Sequence, residues 1–210
     1  ECELDASLEQ ERPWDWNKGF LELNPAGTLP VLRDGSRAVL CGAYSISEYL
    51  ADTSADETGD ARAFAFFPGE EAERGEVRRL VDWFHNKFDA EVSGYLLGEK
   101  LYRRFDPKKG GAPDMELVRA GQANLRYHLS YISHLCEKRN WLAGEHLSFA
   151  DLAAAAHLSC IDYLGDVPWG EANGAKQWYA RIKSRPSFRA LLTDRVPALK
   201  PPDGYDDPDF

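Results

Sequence analysis

The chain has 210 residues, 43% of them hydrophobic and 29% charged, enough apolar mass for one large globular domain or two small ones. Its 25 Lys and Arg face 35 Asp and Glu, a formal net charge of -10. That balance lacks the broad positive field that draws proteins to nucleic acid or anionic membranes, and no run of about eighteen apolar residues exists to span a bilayer.

Residues 1–5 alternate and read as the end of a strand, so the chain enters in mid-pattern. Residues 7–19 are polar and carry Trp14-Asp15-Trp16, which predicts an irregular loop with at least one tryptophan buried. Leu29-Pro30-Val31-Leu32 and Ala38-Val39-Leu40 are short apolar runs on either side of Asp34-Gly35, a hairpin signal. The period then changes: Ile46, Tyr49 and Leu50 share one face of a helix over Tyr44–Leu50. The acids, Gly59 and Pro68 of residues 51–69 read as loop, and a linker is expected over 56–69.

From residue 70 the pattern is helical. Val77, Leu80, Val81, Phe84, Phe88, Val92, Tyr95 and Leu96 predict one long amphipathic helix, or a broken pair, up to about Arg104. A turn follows at Pro107–Pro113, then a helix over Asp114–Lys138 with Leu117, Leu125, Leu129, Ile132 and Leu135 on its apolar side. Ser148 and Asp151 have capping-box spacing ahead of Leu152–Leu164, which is apolar on every side and therefore expected at the bundle's centre. Ala172–Lys183 and Ser187–Thr193 complete the helices.

The four cysteines (Cys2, Cys41, Cys136 and Cys160) form no C-x-x-C pair and no metal-type cluster, and Cys136 and Cys160 are expected to be small buried hydrophobes. His85, His128, His134, His146 and His157 are scattered, and no metal site is expected.

Four passages resemble the glutathione transferase superfamily: LNPAGTLPVL at 23–32, the helix ending in Tyr49-Leu50, LSFADL at 147–152 and WYARIKSRPSFRALL at 178–192. The resemblance implies an α/β thioredoxin-like N-terminal domain whose first strand and helix are not in the sequence, followed by an all-α helical bundle. Its expected boundaries are 1–55, a linker at 56–69, the bundle at 70–196 and an extension at 197–210. It also implies a cis bond before Pro30, structural roles for Pro30, Ser148 and Asp151, and glutathione-site positions at Leu29, Pro30, Gly42 and Ala43. Family enzymes place Glu or Gln followed by Ser where this chain has Gly42-Ala43, and neither residue offers a side chain to the γ-glutamyl group. Ser45 would serve only after a shift in register. The family's catalytic residue falls upstream of Glu1, so no catalytic residue, cofactor or metal is assigned.

The extension holds Asp203, Asp206, Asp207 and Asp209 among Tyr205 and Phe210, with no Lys or Arg in the last ten residues. That composition suits either a recognition peptide or docking onto the chain's own bundle. With Trp14 and Trp16, these residues form the candidate partner-binding set. The resemblance is strongest to non-catalytic members of the family that act in bacterial division. It implies a cytoplasmic homodimer at the division site that binds FtsZ, with neither nucleic acid nor membrane insertion. The alternatives are an active glutathione transferase or related isomerase, and a binding protein of the stringent-starvation type that contacts RNA polymerase.

Overall fold

The computed structural model describes residues 6–12, 15–58, 66–68, 70–105, 110–197 and 199–207. The strand expected over residues 1–5 lies outside them, as do Cys2, Trp14, Asp209 and Phe210. The chain separates into two compact units, Glu1–Gly69 and Glu70–Phe210.

In the first unit the predicted loop over 7–19 ends early, because Asn17 caps a short helix, α1 (Lys18–Leu23), by accepting the Gly19 amide at 2.9 Å. The hairpin forms as expected: β1 (Val31–Asp34) and β2 (Ala38–Cys41) pair antiparallel, with Val31 opposite Cys41 and Asp34 opposite Ala38. Gly35 takes φ +48° in the turn, and the Arg37 amide donates to Asp34 O at 2.8 Å. Helix α2 (Ala43–Thr58) then runs eight residues past Leu50, overrunning the start of the linker expected at 56. The polar residues after Leu50 read as breakers, yet Ala51 stays buried and the Thr53 hydroxyl donates back to Tyr49 O at 2.8 Å. Nothing between 51 and 58 is Gly or Pro, so the helix has no reason to stop.

The described residues of the second unit are mostly helical. Helix α3 (Glu71–Asp82), capped by Glu70, passes without a break in right-handed geometry into a π-helical stretch, Trp83–Ser93. It continues as α4 (Gly94–Leu97), a second π-helical turn (Gly98–Tyr102) and α5 (Arg103–Phe105). In the π-helical parts the hydrogen bonds widen, as in Gly94 N–H to Asp89 O. The sequence explains the widening. Leu80, Phe84, Phe88, Val92 and Leu96 are all essentially inaccessible and recur every fourth residue. In a regular helix of about 3.6 residues per turn such a row would drift around the axis by roughly 40° at each step. Widened turns advance less per residue and so offset part of that drift.

Helix α6 (Met115–Lys138) starts at Asp114, whose side chain accepts from the Glu116 and Leu117 amides. Val118 is buried there and Leu117 is exposed, a one-residue correction to the expected apolar face. Gly121 lets α6 approach the long helix: a Cβ at that position would come within 2.9 Å of Tyr95 Cβ. Helix α7 (Phe149–Tyr163) buries Ala150, Ala153, Ala154, Ala155, Leu158 and Ile161, as its all-round apolarity predicted. Cys160 is exposed on it, contrary to expectation, while Cys41 and Cys136 are half-buried. The last predicted helix is split into α9 (Pro186–Arg189) and a 3-10 turn (Leu191–Thr193), after α8 (Asn173–Lys183).

The capping box closes as predicted and carries more than the cap. Asp151 is 0% exposed, and its carboxylate accepts from Leu142 N–H at 2.9 Å, Ser148 N–H at 3.0 Å, the Ser148 hydroxyl at 3.2 Å and Trp178 Nε1–H at 2.9 Å. One carboxylate thus joins the loop before α7, the start of α7 and the middle of α8. Burial pushes its pKa up, against four donors that pull it down. Removing it strands buried donors, so Asp151→Ala should lower the unfolding free energy by roughly 3 kcal/mol or more. Urea titration with an unchanged denaturant slope would record the loss.

Candidate functional site

The positions that the resemblance assigns to a glutathione site can be followed residue by residue in the first unit. The Asn24 side chain, almost fully buried, braces the turn before Pro30: its Nδ2 donates to Thr28 O at 2.7 Å and Oγ1 at 3.1 Å, and its Oδ1 accepts the Ala26 amide at 3.2 Å. The Leu29-Pro30 bond is cis, as the resemblance implied, and the Leu29 side chain is exposed. Pro30 O accepts the Gly42 amide at 3.0 Å, tying that turn to the entrance of α2.

Gly42 has φ +90°, a backbone region that residues with a side chain rarely adopt. A Cβ there would meet nothing within 4 Å, so the obstacle to a glutamine is conformational and not spatial. Ala43 opens the helix with a methyl group. Tyr44 directs its hydroxyl to Glu48 at 2.7 Å, and Ser45 lies on the exposed side of the first turn. Positions 42 and 43 therefore supply no side-chain group for an amino acid carboxylate or ammonium. Trp16 is 74% exposed with φ +52°, and Asp15 beside it is also exposed.

In the second unit the extension docks. Tyr205 is 7% exposed and stands edge-on to Tyr163 with centroids 5.2 Å apart, packed on the chain's own bundle. Around this anchor the acids face solvent: Asp203 pairs with Lys200 at 2.9 Å, Asp206 with Arg195 at 3.4 Å, and Asp207 is exposed.

The histidines are less scattered than their sequence positions suggest. His85 Nδ1 lies 3.0 Å from His157 Nε2, and His157 Nδ1 lies 3.9 Å from Asp89. Trp83 Nε1–H donates to His128 Nδ1 at 3.1 Å, which leaves the His128 proton on Nε2 facing Glu91 at 3.1 Å. His85 and Asp89 are one wide turn apart, a spacing visible in the sequence; their pairing with α7 was not. Among the described residues no three His, Cys, Asp or Glu side chains are grouped to hold a metal ion.

Burial first, and the neighbouring His85 second, bring the His157 pKa down to about 4 from an ordinary 6.5. The unfolded chain then binds this proton more readily than the folded one. His157 therefore contributes stability above pH 6.5 that is lost as the pH falls towards 4. Thermal unfolding across that range should show an acid loss of about 2–3 kcal/mol, and His157→Gln should flatten the profile.

Known proteins resemble the chain along most of its length. The N-terminal domain model of glutathione S-transferases matches residues 1–53 and the C-terminal domain model matches residues 108–186. FtsZ-localized protein A of Caulobacter vibrioides is 46% identical over 204 residues, covering 96% of this chain and 86% of that protein. Among solved structures, a glutathione S-transferase from Rhodospirillum rubrum superposes with a TM-score of 0.91 at 45% identity, covering 100% of this chain and 90% of that one. FzlA from C. crescentus superposes with a TM-score of 0.87 at 46% identity, covering 96% and 87%. The chain belongs to the glutathione S-transferase family.

Proposed function

We propose that this chain is a non-catalytic binding module, a homodimer that engages FtsZ at the division site in the cytoplasm and regulates filament assembly and curvature. The observation that carries the reading is the 46% identity, over 96% of the chain, to a relative named for its localization with FtsZ. Support comes from Gly42 and Ala43, which leave the γ-glutamyl group of glutathione without a side-chain partner. The partner surface is assigned to Asp203, Asp206 and Asp207 on the docked extension and to Trp16 on the first unit. Trp14, Asp209 and Phe210, outside the described residues, complete the set. In this reading 1–55 and 70–196 are retained family domains, and 197–210 is the segment adapted to the partner.

A second reading, an active transferase, is favoured by the name of the Rhodospirillum rubrum protein. Conjugation of glutathione to a chlorinated nitrobenzene separates the two, with no turnover above the uncatalysed rate expected. The purified protein should also pass through glutathione resin; specific retention would count against the binding-module reading.

Reversing one charge at a polar contact weakens binding without unfolding the scaffold. Asp207→Lys should reduce co-sedimentation with FtsZ polymers by about tenfold while the thermal midpoint stays within a few degrees. Undiminished co-sedimentation would remove the extension from the partner surface.

A further inference from the structure

A buried cation lies beneath the docked extension. Lys183, the last residue of α8, is 0% exposed, and its Nζ sits 3.8 Å from Asp162 Oδ2 on α7. The other carboxylate oxygen, Oδ1, accepts from Trp169 Nε1–H at 2.8 Å. The Lys183 ammonium is 5.7 Å from the ring centroids of both Tyr179 and Tyr205. Tyr205 belongs to the extension and roofs the cation; Tyr179 belongs to α8.

Next to this pair, the Tyr163 hydroxyl stitches down the chain leading to Tyr205. It accepts from Val196 N–H at 2.9 Å and donates to Leu199 O at 2.7 Å. Pro202 closes over Gly165, where a Cβ would meet the proline ring at 3.7 Å. Tyr205 N–H then bonds Pro202 O at 3.2 Å, and Asp207 N–H bonds Gly204 O at 3.0 Å. Burial pulls the Lys183 pKa down, while Asp162 and, from the extension itself, Asp207 and Asp206 push it back up. Asp206 and Asp207, which face solvent, therefore also act on this charge.

Moving an ammonium and a carboxylate out of water is unfavourable, and an apolar pair of similar volume often serves stability as well or better. Such a pair has a specifying role where its geometry selects one arrangement of the groups around it. Here the group around it is the extension. We infer that Lys183 and Asp162, with Tyr163 beside them, form a seat that fixes the register of residues 196–207 and so sets where Asp203, Asp206 and Asp207 stand. Only the last step, from register to partner binding, rests on the FtsZ reading above. Asp162, Tyr163 and Lys183 are positioning residues: they act on the partner through the extension, without touching it.

The test follows amide deuterium exchange across 196–207 in the full chain, together with the thermal midpoint and co-sedimentation with FtsZ polymers. Tyr205→Ala and Lys183→Met should speed exchange at Leu199, Tyr205 and Asp207 by about tenfold relative to the amides of α6. Co-sedimentation should fall by about fivefold in the same variants. Tyr205→Phe keeps the ring over Lys183 and against Tyr163, so both readouts should stay within about twofold of the wild type. Should Lys183→Met fail to fold, Tyr205→Ala, at the periphery of the bundle, decides the matter. Unchanged exchange in Tyr205→Ala overturns the seat, whatever FtsZ binding does. Fast exchange with full co-sedimentation overturns the link from seat to partner. A wild-type chain that does not co-sediment overturns the FtsZ reading, and exchange alone then decides the seat.

Discussion

The helical unit is organised around a carboxylate that water does not reach. Asp151 sits at the third position of α7, and its two oxygens take four hydrogen bonds from three separate places in the chain. An ionised group can stay buried only when its lone pairs are met in this way, so each donor must be held at its proper distance. The loop before α7 is fixed through Leu142, the helix entry through Ser148, and α8 through the Trp178 indole. Arg181, one turn beyond Trp178 on α8, lies over the Trp141 ring at 4.3 Å and so braces the same loop from outside. Because α7 also fills the centre of the bundle, an error at Asp151 would propagate to every helix packed against it.

How far this arrangement could be read in the residues depended on whether the interaction was local. Ser148 and Asp151 are three positions apart, so the capping box was legible, as was the hairpin around Asp34-Gly35. The wider reach of Asp151 to Trp178, 27 residues on, has no signature in spacing. The same limit applies to His85 with His157 and to Lys183 with Asp162, which meet only because two helices pack. The end of α2 was misplaced for a different reason: exposed acids look like loop in composition but do not interrupt backbone hydrogen bonding. Phe84, Phe88, Val92 and Leu96 did predict a helix, but its π-helical hydrogen bonding was not read from their spacing.

At the positions that the resemblance assigns to the glutathione site, the turn before Pro30 is well braced while Gly42 and Ala43 carry no polar side chain. Asn24, Pro30 and the entrance of α2 are held by hydrogen bonds internal to the turn. A backbone at φ +90° suits glycine, so a glutamine at position 42 would meet backbone strain of about 1 kcal/mol even in open space. The recognition surface assigned to the extension is supported differently, by an aromatic anchor that is buried and acids that are not. Tyr205 looked in the sequence like a companion of Phe210 and the aspartates; the structure separates it from them by burial.

The docked extension also depends on the packing of the helices beneath it. Tyr163 makes its two tail contacts across 33 and 36 residues of chain, and Tyr205 needs both Tyr163 on α7 and Lys183 on α8 before it has a surface to cover. Such long-range closure carries the entropy cost of the intervening chain, which the packed surface of α7 and α8 must offset. The acids thus keep their places only on a packed bundle. Any loosening of α7 against α8 would therefore be felt first at the tail, far along the chain from the helices that moved.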